Sequence, residues 1–321
     1  MRKCMAAKIV GQKLSAKDKF RKNCKGIRRN WQLYLLLVPA VVLLFCFTYI
    51  PMYGIQIAFK DFVPKLGIEG SKWVGFEHFQ TFFNSFQVKS LFTNTITLSL
   101  YSLIAGFPFP IILALMMNQI RVKRFKQTLQ VVTYLPHFIS TVVMVGIMLI
   151  VLSPSSGLFG NIARMFGVID PPNLMGQAGA FQSIYVWSDV WQHAGWDSII
   201  YIAALAAVDP SLYEAATVDG AGKWQKIKNI TVPAILPTIV TMLVLNIGKM
   251  VKVGYEAILL LYQPSTFAKA DIIATYSYRL GFENGNYGLA TAVGMFEAVV
   301  ALILVTMANR LSRKLSDTAL W

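Results

Sequence analysis

The chain has 321 residues, of which 55% are hydrophobic and only 14% charged. A soluble domain of this length carries about 25% charged residues to cover its surface, so a water-soluble enzyme or binding module is excluded for most of the chain. The net charge of +15 does not point to nucleic acid either, because 11 of the 30 Lys and Arg residues crowd into residues 1–30, where positive charge marks the cytoplasmic side of a membrane protein.

Residues 31–53 and 90–120 contain no charge, and each exceeds the ~20 residues that cross a ~30 Å hydrocarbon core. The first run is too long for a signal-peptide core and lacks a small-residue cleavage site after it, so it is expected to be a retained helix. Six spans are predicted, at 31–53, 91–117, 131–152, 184–208, 235–261 and 287–308, in an all-α membrane fold. An even number places both termini on one side. The tail, the 118–130 and 209–231 loops and the end after Asn309 hold 21 Lys and Arg, against seven in the opposite loops. The positive-inside rule therefore makes the tail (1–30), those loops and the C-terminal tail (309–321) cytoplasmic. The basic tail reads equally as a surface helix on anionic lipid or as a topology anchor. The longest outer loop, 54–89, has about 36 residues, too few for a domain of its own.

Cys4, Cys24 and Cys46 form no C-x-x-C pair, so neither a zinc site nor a disulfide framework is suggested. His78, His137 and His193 show no metal-ligand spacing. His137 lies in "YLPHFIST", where Pro136 reads as an ordinary helix start, and it is not taken as a site residue.

Between spans four and five lies the polar stretch "EAATVDGAGKWQKIKNITVP", residues 214–233. Asp209 reads as an N-cap and Pro210 as the first helical residue. A short helix over 212–218 is broken by Asp219-Gly220-Ala221-Gly222. A second short helix follows over 223–230, and Pro233 is expected to end it and begin the next span. Ala215 and Ala216 leave a small-residue surface for close approach by a partner. "GAGKW" is not a phosphate loop, because Lys223 is followed by Trp224 and no strand precedes it.

This stretch resembles the cytoplasmic loop of permease subunits of binding-protein-dependent ABC importers, pattern E-A-A-x3-G-x9-I-x-L-P. Glu214-Ala215-Ala216, Gly220, Ile230 and Pro233 match, and Val232 replaces Leu. "NWQLYLLLVPAVVLLFCFTYIPMYGIQIAFKDF", "WVGFEHFQTFF" and "WQHAGWDSIIYIAALAAVDPSLYEAATVDGAG" resemble the sugar branch that handles oligosaccharides and polysaccharide fragments. The resemblance implies a type I ABC-importer permease fold over 31–308 in a bacterial cytoplasmic (inner) membrane. It implies a noncatalytic subunit paired with a second homologous permease. Two ATPase subunits, which hold ATP and Mg, dock at 209–233, and an extracytoplasmic solute-binding protein, such as a lipoprotein, delivers the sugar. Glu214, Ala215, Ala216, Asp219, Gly220, Ile230 and Pro233 then form the ATPase joint.

Ionisable residues at membrane depth usually face a cavity or one another. Asp189, His193 and Asp197 recur at i, i+4, i+8 on one helix face. Lys249, Lys252 and Glu256 lie together on span five, and Glu297 is mid-span on six. A polar belt along the solute path is expected from Asp189, His193, Asp197, Lys249, Lys252 and Glu297, with Trp191 and Trp196 offering flat faces to sugar rings. Internal pairs such as Lys252 with Glu256, or contacts with the second permease, are the alternative reading. A self-sufficient secondary transporter or channel competes at the level of function, but no internal repeat is visible. A membrane enzyme would need a convergent catalytic set, which three scattered histidines do not provide.

Overall fold

The computed structural model describes residues 29–249 and 254–316. Residues 1–28, 250–253 (Lys252 among them) and 317–321 lie outside the described residues, as does the side chain of Lys249. The chain divides into two units, 1–56 and 57–321.

In the first unit, α1 (Trp31–Leu44) continues through a wider turn, Phe45–Tyr49, and none of its residues is buried within the chain. A helix that is apolar on every side, such as this one, suits a lipid environment.

In the second unit a two-residue antiparallel ladder pairs Lys60 with Trp73 and Asp61 with Lys72. Then come α2 (Val88–Gly106), α3 (Pro108–Asn118), α4 (Lys123–Tyr134), α5 (Thr141–Val151), α6 (Leu158–Met165) and α7 (Ala178–Ala206). They are followed by α8 (Pro210–Val218), α9 (Lys223–Lys226), α10 (Val232–Lys249), α11 (Tyr255–Leu261), α12 (Ile273–Tyr278) and α13 (Tyr287–Ser316). Among the described residues four stretches are long and apolar enough to cross a membrane, and six if each of two bent helix pairs counts as one span. The long helix α7 is the centre of packing. Val186 and Val190 on it join Leu98 of α2, Met144 and Met148 of α5, and Ile258 of α11 in the main core. Tyr201 and Leu205 meet Ala114 and Ile235 in a second cluster toward the other end.

Three expected features, two spans and one helix boundary, are built differently. Span three is not one helix over 131–152. The pair of Lys123–Phe138 and α5 is bent by 102°, because Ile139 and Ser140 are extended and Ser140 caps α5 through Val143 N–H. A broken helix in lipid must satisfy its freed backbone groups, and here the Gln192 amide donates to the Ile139 carbonyl at 2.8 Å. Span five is interrupted as well, since Gly254 is non-helical and α11 starts after it. A Cβ at Gly254 would stand 3.2 Å from the Tyr185 hydroxyl, so this close approach suits glycine. Third, Pro233 does not end the second loop helix. A wider turn over Ile227–Thr231 precedes it, which accommodates the ring against the carbonyl four residues back. Lys223–Gly248 thus forms one stretch of 26 residues.

The 262–286 segment is braced by one strong pair. Arg279 holds Asp271 with two nitrogens, at 2.8 and 2.6 Å, and its guanidinium lies 5.2 Å from the Phe267 ring centre. Thr275 Oγ1 donates to the same carboxylate at 2.7 Å, and Asn94 donates to the Asp271 carbonyl. Arg279→Ala leaves a largely buried carboxylate unpaired and is expected to cost about 2 kcal/mol, less than the ~3–5 of a fully buried pair. Lys is expected to rescue only part of the loss, because it cannot make the two-pronged contact. Thermal unfolding of the purified protein checks both.

Candidate functional site

Two cavities lie along α7. The first, of about 620 Å³, is lined by Tyr185, Asp189, His193, Gly254, Glu256 and Glu297, among others. The second, of about 540 Å³, shares Tyr185, Asp189, His193 and Gly254 and adds Ser102, His137, Trp196, Asp197, Tyr201 and Asn246. The i, i+4, i+8 spacing of Asp189, His193 and Asp197 therefore does place them on one cavity-facing side. His193 sits ~22 Å from one end of α7 and ~20 Å from the other, near its middle.

His193 Nδ1 stands 3.0 Å from Asp189 Oδ1 and 3.1 Å from the Asp189 carbonyl. His137, set aside on sequence, lines the second cavity. Its ring stacks on Trp196 at 4.5 Å with a 2° interplanar angle and meets His193 edge-on at 5.3 Å. The break after Phe138 brings it there, and Gly195 permits the approach, since a Cβ on Gly195 would overlap the Thr133 carbonyl. His137 Nδ1 and Ser102 Oγ are buried and find no hydrogen-bond partner among the described residues. Glu297 is buried and lines the first cavity. Trp191 lines neither cavity and is 54% exposed, so the structure does not bring it into this set. No group of three His, Cys, Asp or Glu side chains suited to a metal occurs among the described residues.

The 209–233 loop forms a second site. Asp209 Oδ1 accepts from the Ser211 backbone N–H at 2.9 Å, with Pro210 in the first turn of α8. That N–H holds the Asp209 carboxyl below its ordinary range. The cap is therefore fully formed at neutral pH and is lost as pH falls through the lowered value. Asp209→Ala is expected to speed amide exchange over 211–213 at pH 7, with the difference from wild type shrinking in acid.

Gly220, at φ +76°, closes α8. Ala221 N–H donates to the Ala216 carbonyl and Gly220 N–H to that of Thr217, a Schellman ending. The two short helices are tied by Lys226 Nζ to Thr217 Oγ1 at 2.8 Å and by Tyr213 to Thr231 at 3.1 Å. Glu214, Ala215, Asp219 and Pro233 are exposed, whereas Ala216 and Ile230 are half-buried. Val218 and Trp224 project at 88% and 75% exposure.

A broken-span helical bundle with a mid-helix polar cavity and a braced helix–turn–helix defines a transport permease. The chain belongs to the family described as binding-protein-dependent transport system inner membrane component, matched over residues 106–317. It is 39% identical over 315 residues to the polygalacturonan/rhamnogalacturonan transport system permease protein YteP of Bacillus subtilis (strain 168), covering 98% of each chain. It is 37% identical to Protein LplB of the same organism, over 92% of this chain and 93% of that one. Among solved structures, a chain of a bacterial ABC transporter involved in the import of the acidic polysaccharide alginate is 45% identical with a TM-score of 0.84. That match covers 92% of this chain and 99% of the other. The same values hold for the alginate transporter in complex with an alginate pentasaccharide-bound periplasmic protein. The chain is thus a multi-pass membrane permease of an ABC importer, with the type I fold that the resemblance of its loop motif implies.

Proposed function

We propose that this chain is one of two permeases of an importer for an oligosaccharide or polysaccharide fragment. The carrying observation is the end-to-end similarity to proteins named for polygalacturonan/rhamnogalacturonan and alginate transport. With a second permease it forms an alternating-access path. Asp189, His193, Trp196, Asp197 and Glu297, joined by His137, line the path, and Lys249 and Lys252 belong to the same span-five stretch. The partnerless polar atoms of His137 and Ser102 suit solute hydroxyls. ATP is hydrolysed on separate ATPases, whose cleft receives Glu214, Ala215, Ala216, Asp219 and Gly220, with Ile230 and Pro233 at the base of the joint. The tails and this loop lie in the cytoplasm, and a solute-binding protein docks on the opposite face.

Affinity recovery of the tagged chain from gently solubilised membranes tests the assembly. An ATPase and a second six-span permease are expected, with crosslinks near Glu214. A chain that purifies alone and transports without ATP in proteoliposomes would favour a secondary transporter instead. For the path, removing one aromatic face by Trp196→Ala or His137→Ala is expected to raise the half-saturating solute concentration about two- to tenfold. Unchanged uptake in both variants would sink the path assignment.

A further inference from the structure

Helix α6 follows α5 after six residues and is folded tightly onto its end. Gly157 and Gly160 are buried there. A Cβ on Gly157 would come within 2.6 Å of the Ser153 carbonyl oxygen, and one on Gly160 within 2.9 Å of the same atom. The side of α6 that carries these glycines is therefore fixed against the 150–154 turn.

The other side is apolar and uncovered. Leu158, Ile162 and Met165 recur at i, i+4, i+7 on one face, and Phe166 flanks them. Gly167, at φ +84°, then turns the chain and leaves Ile169 outward. Met165, Phe166 and Ile169 are 86, 85 and 94% exposed. The one charge on the helix does not serve this face. Arg164 reaches back to the Pro154 carbonyl at 3.0 Å, to the Ser155 carbonyl, and to Asn161 Oδ1 at 2.9 Å.

We propose that α6 is an interfacial helix whose Leu158–Ile162–Met165–Phe166 edge, with Ile169, is immersed in the acyl region of the lipid leaflet at that end of α5. Continuity carries the choice of occupant. The last residues of α5, Leu149, Ile150 and Val151, are exposed and apolar, so the edge continues the apolar surface of a helix that the permease reading places in lipid. A soluble protein that docks and leaves would return the whole edge to water in every cycle, whereas lipid covers it permanently. An uncharged apolar edge of this kind seats at the boundary between headgroups and acyl chains. The inference rests on the permease reading only in placing α5 in the membrane.

The test uses the complete importer with Cys4, Cys24 and Cys46 replaced by serine. Single cysteines are introduced as Phe166→Cys, Ile169→Cys and, on the packed-back turn, Ser155→Cys. Each is labelled with an environment-sensitive fluorophore and reconstituted in nanodiscs containing phosphatidylcholine with an acyl-chain nitroxide. Fluorescence loss several-fold greater at 166 and 169 than at 155, with blue-shifted emission, is expected. Equal loss at the three positions overturns the proposal. So does quenching at 166 and 169 that is seen with this chain reconstituted alone but not with the complete importer, or shielding that arises only on adding the solute-binding protein. Uptake by the same labelled importers, reconstituted in parallel into sealed proteoliposomes, reads the permease assignment separately, so the two can fail independently.

Discussion

Replacing Gly195 by alanine is expected to destabilise the permease by about 1–3 kcal/mol, the usual range for forcing an extra carbon into a packed contact. The added methyl would overlap the backbone oxygen and carbon of Thr133, atoms that cannot rotate away. Helix α4 would have to retreat from α7, and the His137–Trp196 stack, whose residues adjoin this contact, would open. Uptake should fall together with thermal stability. Gly248→Ala supplies the contrast, because its new methyl meets only a methyl of Val305, at 2.7 Å. That side chain can move, so the loss should be smaller. Equal losses at the two positions would mean that the backbone contact is not what holds α4 in place.

Gly220→Val is the second large effect. At φ +76° a side chain meets its own backbone, which costs about 1–2 kcal/mol. If the loop docks an ATPase as proposed and the strain falls on the docked form, attachment weakens about 5- to 30-fold. The permease should reach the membrane in normal amount yet lose uptake, and less ATPase should co-purify with it. Gly222→Ala is the matched control. Gly222 has an ordinary φ of −69°, and an added methyl there meets only Gln225 Oε1 at 3.7 Å. If both variants transport alike, the left-handed turn is not what presents the loop.

Local chemistry was legible in the sequence wherever one or two residues determine it. Asp209-Pro210 starts α8 and Gly220 ends it, through a capping carboxylate, a fixed φ and the lack of a Cβ respectively. The apolar runs mark the bundle, and the 3.6-residue period places Asp189, His193 and Asp197 on one face. What escaped depends on contacts across the bundle. Pro136 early in an apolar run reads as a helix start, yet here the helix ends two residues later and restarts at the Ser140 cap. That cap was the visible signal for the break. His137 looked isolated because its partners, Trp196 and His193, lie on another helix. Trp191 looked equivalent to Trp196, but five residues turn it to the opposite side of α7. Pro233 looked like a boundary because a proline disfavours an ordinary helical turn, and only the wider turn before it removes the conflict.

That wider turn changes what the loop can do mechanically. Had the helix ended at Pro233, a push on the second loop helix would have dissipated at a flexible corner. Instead Lys223 to Gly248 is one rod of 26 residues, ~39 Å long at 1.5 Å per residue. Its near end carries Trp224 in the open, and the chain beyond its far end returns at Gly254 beside Tyr185. If an ATPase docks beside Trp224 as proposed, such a rod would act as a crank, a tilt of about 5° at Trp224 giving a lateral stroke of ~3 Å at the cavity end.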